Sequence, residues 1–169
     1  FNMITFENIG HFGRLCNQLF QYGILYVVAK KNGYDFALPS DNFKIVDSSP
    51  NPVIGNKRDY MFLQIYECFN VTGKLLPKSE ISFNRTFDHG TDYSKFSPDV
   101  FDINDHTNIK GNFQSYKYFK GFENELKKEF QFKGEIEKTT KDYFDGLKKK
   151  YNEKTLTGIH VRRGDTIGE

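Results

Sequence analysis

Asn2-Met3-Ile4-Thr5-Phe6-Glu7, a loop through Gly10 and Gly13, the run Asn17 to Lys31, then Gly33 and Tyr34-Asp35-Phe36-Ala37-Leu38 decide the architecture. The opening six residues alternate, with Met3, Ile4 and Phe6 as apolar members, and predict a first strand. From Asn17 to about Lys31 the apolar residues Leu19, Phe20, Ile24, Val27 and Val28 fall at helical spacing. Gly33 suits a helix stop, and Tyr34 to Leu38 regains strand character before Pro39. A strand, a glycine-bearing loop, a helix and a second strand form a βαβ unit. That predicts an α/β protein with a Rossmann-like parallel sheet and helices on its faces.

Working outward, residues 40–106 are punctuated by Pro50, Pro52, Pro77 and Pro98 and are dense in Asn, Asp and Ser. Within them, Tyr60 to Phe69 and Glu80 to Phe87 each read equally well as a strand or a short helix. Thr107 to Phe113 reads as a strand. Tyr116, Phe119, Phe122, Leu126 and Phe130 then mark an amphipathic helix, with Glu and Lys on its other side. A second helix is expected from about Glu135 to Tyr151, with Ile136, Tyr143, Phe144 and Leu147 turned inward and Lys148, Lys149 and Lys150 at its solvated end, where cations suit the helix dipole.

Thr155 to Val161 reads as a buried strand that breaks into Arg162-Arg163-Gly164-Asp165. Ligands of open α/β sheets bind beyond the carboxyl ends of strands. Two adjacent guanidiniums there offer rigid forks of donors that match phosphate geometry. Two readings stand: a phosphate or diphosphate site, or an arginine pair salt-bridged to Asp165 at a surface turn. Strand alternation sets His160 beside Arg162, where a hydrogen-bonded structural role is the favoured one.

Composition narrows the classes. At 169 residues the chain has room for one domain, or one domain and the start of another. Its 18 Phe and 10 Tyr supply large surfaces for a core. The 24 basic and 22 acidic residues are interspersed, which leaves no footprint for nucleic acid. Cys16 and Cys68 make neither a disulfide framework nor a metal spacing, and the four histidines are scattered, so no metal site is expected. No run approaches the roughly 20 apolar residues of a membrane span, and no signal-peptide pattern opens the chain. The sequons Asn70-Val71-Thr72 and Asn84-Arg85-Thr86 are at the density that chance provides.

The loop Gly10-His11-Phe12-Gly13-Arg14-Leu15-Cys16-Asn17-Gln18 occupies the place of a nucleotide fingerprint yet lacks both G-x-G-x-x-G and a Walker Gly-Lys-Ser/Thr. Dinucleotide oxidoreductases and P-loop enzymes are thereby disfavoured. Arg14 and the start of a helix remain, and helix N-termini attract anions. Asn17 either caps its own helix or faces a ligand.

Three stretches together resemble a known family. Gly13-Arg14-Leu15-Cys16-Asn17-Gln18-Leu19-Phe20-Gln21-Tyr22 is similar to the amino-terminal signature of glycosyltransferase family 11, the α1,2-fucosyltransferases, usually G-G-L-G-N-Q-M-F-Q-Y. Gly111-Asn112-Phe113-Gln114-Ser115-Tyr116-Lys117-Tyr118-Phe119 resembles its mid-domain G-Y-x-Q-S-x-x-Y-F pattern, and His160-Val161-Arg162-Arg163-Gly164-Asp165 its H-x-R-R-x-D motif. The three occur in the family's order. Cys16 departs from the signature, standing where it has the glycine before its Asn.

The resemblance implies a GT-B-like fold of two Rossmann-like halves, of which this chain would cover the first half to two-thirds. Residues 1–154 would be the N-terminal domain, and 155–169 the first strand and arginine loop of a truncated donor-binding domain. It implies transfer of fucose from GDP-fucose to a galactose hydroxyl of a glycan acceptor, with inversion and without a metal or other cofactor. Arg163 would hold the donor's β-phosphate, with Arg162 and His160 close by and Asp165 orienting the loop. Arg14 and Asn17 would face the cleft from the other half. Glu169 is one candidate for the base, by likeness to the carboxylate that follows the arginine motif in α1,6-fucosyltransferases. The sequence has no Asp-x-Asp pair to hold a metal on a sugar-nucleotide diphosphate, which agrees with arginines in that role. A cytoplasmic place, or one on the cytosolic side of a membrane, is expected; the alternative is the Golgi lumen, if an N-terminal anchor precedes Phe1. The competing function is a non-catalytic sugar-nucleotide or glycan-binding fragment, or fucose transfer to a different acceptor.

Overall fold

In a computed structural model, the described residues are 2–10, 15–43, 63–90, 95–152 and 155–159. Among these described residues five strands and four α-helices follow one another as β1 (Met3–Thr5), α1 (Leu15–Asn32), β2 (Asp35–Pro39), α2 (Gln64–Cys68), β3 (Lys74–Leu76), β4 (Arg85–Asp88), β5 (Thr107–Lys110), α3 (Glu123–Glu129) and α4 (Gly134–Lys150). The strands form one sheet in the order β3-β2-β1-β5-β4, and every pairing is parallel. The expected βαβ unit is its centre, with Ile4 paired to Phe36 and Thr5 to Ala37. The α/β class and the parallel sheet are as the sequence led one to expect.

Parallel strands covered on both faces carry little charge. Ile4, Thr5, Ala37, Leu38, Thr107, Asn108 and Ile109 are accordingly all buried, and the Thr5 hydroxyl is satisfied by donating to the Ala37 carbonyl at 2.8 Å. The helix α1 is sunk among the sheet, α2 and the turn at Pro98–Asp102. Its residues 21–29 are buried on every side, the pattern of a central rather than a surface helix. It stops at Gly33, which takes φ +69°. The Asn32 side chain then donates to the carbonyls of Val28 and Phe101, both at 3.0 Å.

A buried polar knot locks α1 to α3 and to the entry of β3. The Glu129 carboxylate accepts from the Tyr22 hydroxyl at 2.5 Å, the Thr72 hydroxyl at 2.6 Å and the Thr72 amide at 2.8 Å. Tyr22 in turn accepts from the Gly73 amide at 2.9 Å, and Tyr66 donates to the Gly73 carbonyl at 2.8 Å. Burial, followed by the neighbouring Glu129, raises the Tyr22 pKa far above its usual value and does the same to Tyr66.

Three expectations are corrected. The helix expected through Tyr116 to Phe130 is broken: a 3₁₀ turn covers Tyr116–Tyr118, and α3 starts only at Glu123. Gly121 takes φ +89° between them, a conformation that stops a helix. Tyr116 is consequently 76% exposed. Tyr143 and Phe144, expected inward, are 66% and 50% exposed, and no residue of α4 is buried. Ile136 and Leu147, expected on the same face, are half-buried. Residues 155–159 join no strand ladder and Ile159 is 85% exposed, so the strand expected from Thr155 does not form there. Among the described residues no helix is long and apolar enough to cross a membrane.

Candidate functional site

The order of strands reverses between β1 and β5. From β1 the chain builds β2 and β3 on one side, while β5 and β4 lie on the other. The loops leaving the carboxyl ends of two such strands part at that point and leave a crevice, the usual ligand site of an open parallel sheet. Here the described elements at that point are the start of the segment after β1, the first turn of α1 and the segment after β5.

Amide side chains line these elements. Asn17, half-buried in the first turn of α1, accepts at Oδ1 from Gln114 Nε2 at 2.9 Å. One turn on, Gln21 Nε2 lies 3.3 Å from Asn112 Oδ1 and 3.5 Å from the Gly111 carbonyl. On β5, Asn108 accepts the Glu7 amide at 2.9 Å, which holds the exit of β1 to its neighbour. Gln18 is fully buried; its Oε1 accepts from the Ile65 amide at 3.2 Å. That contact fixes which end of the amide is oxygen. Its Nε2 is left without a partner among the described residues.

The segment after β5 is held rigidly. Gly111 takes φ +139°, and a Cβ there would stand 2.6 Å from the Cβ of His89, so glycine is required twice over. Phe113 sits in the left-handed region at φ +53°, a strain of about 1–2 kcal/mol that its surroundings must offset. Its ring packs against Phe6, Phe87, His89 and Tyr118, with centroids 4.8–6.5 Å away. His89 Nε2 lies 2.8 Å from both the Lys95 carbonyl and the Tyr118 hydroxyl, and that hydroxyl accepts from the Ser97 amide at 2.8 Å. Nearby at the strand ends, Lys110 and Asp88 pair at 2.8 Å; that bond, with the Gly90 amide, holds the Asp88 carboxyl below its usual pKa.

Of the sequence-derived site residues, Asn17 alone is among the described ones. Arg14, His160, Arg162, Arg163, Asp165 and Glu169 lie outside them. What the fold does bring together is the amino-terminal signature with the mid-domain segment, through Asn17–Gln114 and Gln21–Asn112. The second contact in each pair was not singled out from sequence. The available signal was the presence of Gln18 and Gln21 beside and within the otherwise apolar and aromatic run Leu19–Ala29.

Chemically, the amides named here are neutral and offer donors and acceptors together, the combination that hydroxyl-rich ligands engage. Among the described residues no three His, Cys, Asp or Glu gather to hold a metal. A cavity of about 190 Å³ between Lys30, Tyr34, Asp35 and Gly73 lies at the opposite, amino end of β2 and β3, beside the Lys74–Asp35 pair. No protein-family model, curated protein or solved structure matches the chain.

Proposed function

We propose that the chain is the N-terminal part of an inverting, metal-independent α1,2-fucosyltransferase, with the β1/β5 crevice as one wall of its active cleft. The observation that carries this is the Asn17–Gln114 hydrogen bond at 2.9 Å. Two stretches that resemble family 11 signatures, far apart in sequence, meet at the place where parallel sheets bind ligands.

In this account the third stretch supplies the electrostatics. Arg163, seconded by Arg162 and His160 and with its loop oriented by Asp165, holds the diphosphate of GDP-fucose. The bond between fucose C1 and the β-phosphate oxygen breaks, and GDP leaves with the electron pair. The galactose 2-hydroxyl oxygen attacks C1 from the opposite face, and its proton passes to a base, for which Glu169 is the candidate. Preorganised cations aimed at the leaving group lower the barrier by about 3–4 kcal/mol for each essential partner. Arg14 and Asn17 face the same cleft.

A second reading is binding of a sugar nucleotide or glycan without turnover. It is favoured by the described crevice side chains being amides, and by exposed Cys16 at the loop's helix start. Kinetics of Arg163→Lys in the full-length protein separate the two. Lysine keeps the charge but loses the two-pronged donor, so GDP-fucose turnover should fall about 10²–10³-fold. A near-normal rate removes Arg163 from the mechanism.

A further inference from the structure

The helix α4 is built like a surface that expects company. At 3.6 residues per turn, Ile136, Thr140, Tyr143, Phe144, Leu147 and Tyr151 fall in one stripe about 100° wide. Thr140 belongs there, because its hydroxyl donates back to the Ile136 carbonyl at 2.8 Å and leaves its methyl as the outward feature. Thr139, on the border, does the same to Glu135 at 2.8 Å. Ile136 and Leu147 are half-buried, yet Tyr143 is 66%, Phe144 50% and Tyr151 46% exposed, and the helix fully buries none of its residues. A face of this kind normally lies against something.

Charge says what that something is. The first turn carries Glu135 and Glu137, and the last Lys148, Lys149 and Lys150. On the helix wheel Glu137 and Lys148 flank one border of the stripe, and Glu135 and Lys150 lie toward the other. When two identical helices pair antiparallel about a two-fold axis, like borders face each other. Placing Glu137 opposite Lys148 requires the axis midway between residues 142 and 143. Placing Glu135 opposite Lys150 requires the same point. In that register the two Tyr143 rings meet at the axis, and Thr139 faces Gly146, a small pair that lets the backbones approach. A parallel pairing would instead stack acid on acid and three lysines on three.

We propose that α4 pairs antiparallel with α4 of a second copy of this chain, across a two-fold axis lying between residues 142 and 143. The inference does not depend on the fucosyl-transfer reading. A 17-residue helix spans about 25 Å, which buries less than the roughly 800 Å² per partner of a standard interface, so the dimer is reversible and of micromolar strength.

Sedimentation equilibrium on the 169-residue chain, from about 1 to about 300 µM, tests this. A dimer that forms with rising concentration and weakens with added salt is expected. Lys148→Glu should weaken it about tenfold, since the symmetry repeats each lost pair. Adding Glu137→Lys to that variant re-creates opposite charges and should restore the dimer. Tyr143→Glu should abolish it while helical circular dichroism and melting temperature hold. A monomer throughout the range overturns the proposal, and so does a dimer indifferent to Lys148→Glu or one that the double swap fails to restore. A full-length protein in which another segment of the chain covers Phe144 overturns it as well.

Discussion

Gln114 donates to Asn17 at 2.9 Å, and the bond ties the start of α1 to the segment that leaves β5, across 97 positions of sequence. It lies beside β1 and β5, where the sheet changes direction. Asn17 is half-buried and Gln114 exposed, so the contact adds little to folding and its purpose is sought in what it presents.

Asn17→Ala and Gln114→Ala test that distribution of roles. Each should cost no more than about 1 kcal/mol of stability by urea denaturation, the worth of an exposed hydrogen bond. Each should lower GDP-fucose turnover of the full-length protein by about tenfold or more. A loss of stability without loss of turnover would make the bond a structural tie only.

Gly111→Ala combines a forbidden φ of +139° with a 2.6 Å approach to His89. The expected loss is about 2–4 kcal/mol, read from the denaturation midpoint. Gly146→Ala, in open space inside α4, is the control and should stabilise the helix by up to about 1 kcal/mol.

The knot around Glu129 requires an acceptor with no proton to give, because Tyr22 and the amide and hydroxyl of Thr72 all donate to it. Glu129→Gln turns an NH₂ toward a donor and should cost about 2–3 kcal/mol. Glu129→Asp, which keeps the charge but withdraws it, should also destabilise. Retained stability in both variants would show that the knot is not needed.

Tyr22 and Tyr66 keep their protons in the folded chain well above the ordinary tyrosine pKa of 10.0, chiefly because they are buried. In the unfolded chain both ionise near that value. The folded state therefore binds more protons at alkaline pH, and the stability these groups contribute is full below pH 10 and lost as the pH rises beyond it. The slope is about 1.4 kcal/mol per pH unit for each group. Absorbance at the phenolate band, followed with the denaturation midpoint, checks it: these tyrosines should ionise only as the chain unfolds.

Much of this was legible in the residues. The alternation over Asn2–Glu7, the helical spacing to Lys31 and the stop at Gly33 lead directly to β1, α1 and β2. What escaped was set by tertiary structure. The three residues of β3, Lys74–Leu76, are too short to carry a period between Gly73 and Pro77. The helix break at Gly121 was hidden by aromatic residues that keep helical spacing across it. Tyr143 and Phe144 were placed inward on amphipathicity alone, which says that a face is apolar but not what covers it. The convergence of Asn17 with Gln114 depends on β5 lying beside β1, which no local pattern announces.

The account is tested most directly by the product formed when the full-length protein is incubated with GDP-fucose and a β-galactoside. Nuclear magnetic resonance of the glycan should show α-linked fucose on the galactose 2-position, inverted from the β-configured donor, with one GDP released per linkage. A donor that stays intact, or fucose carried to any other position or with its configuration retained, would contradict it.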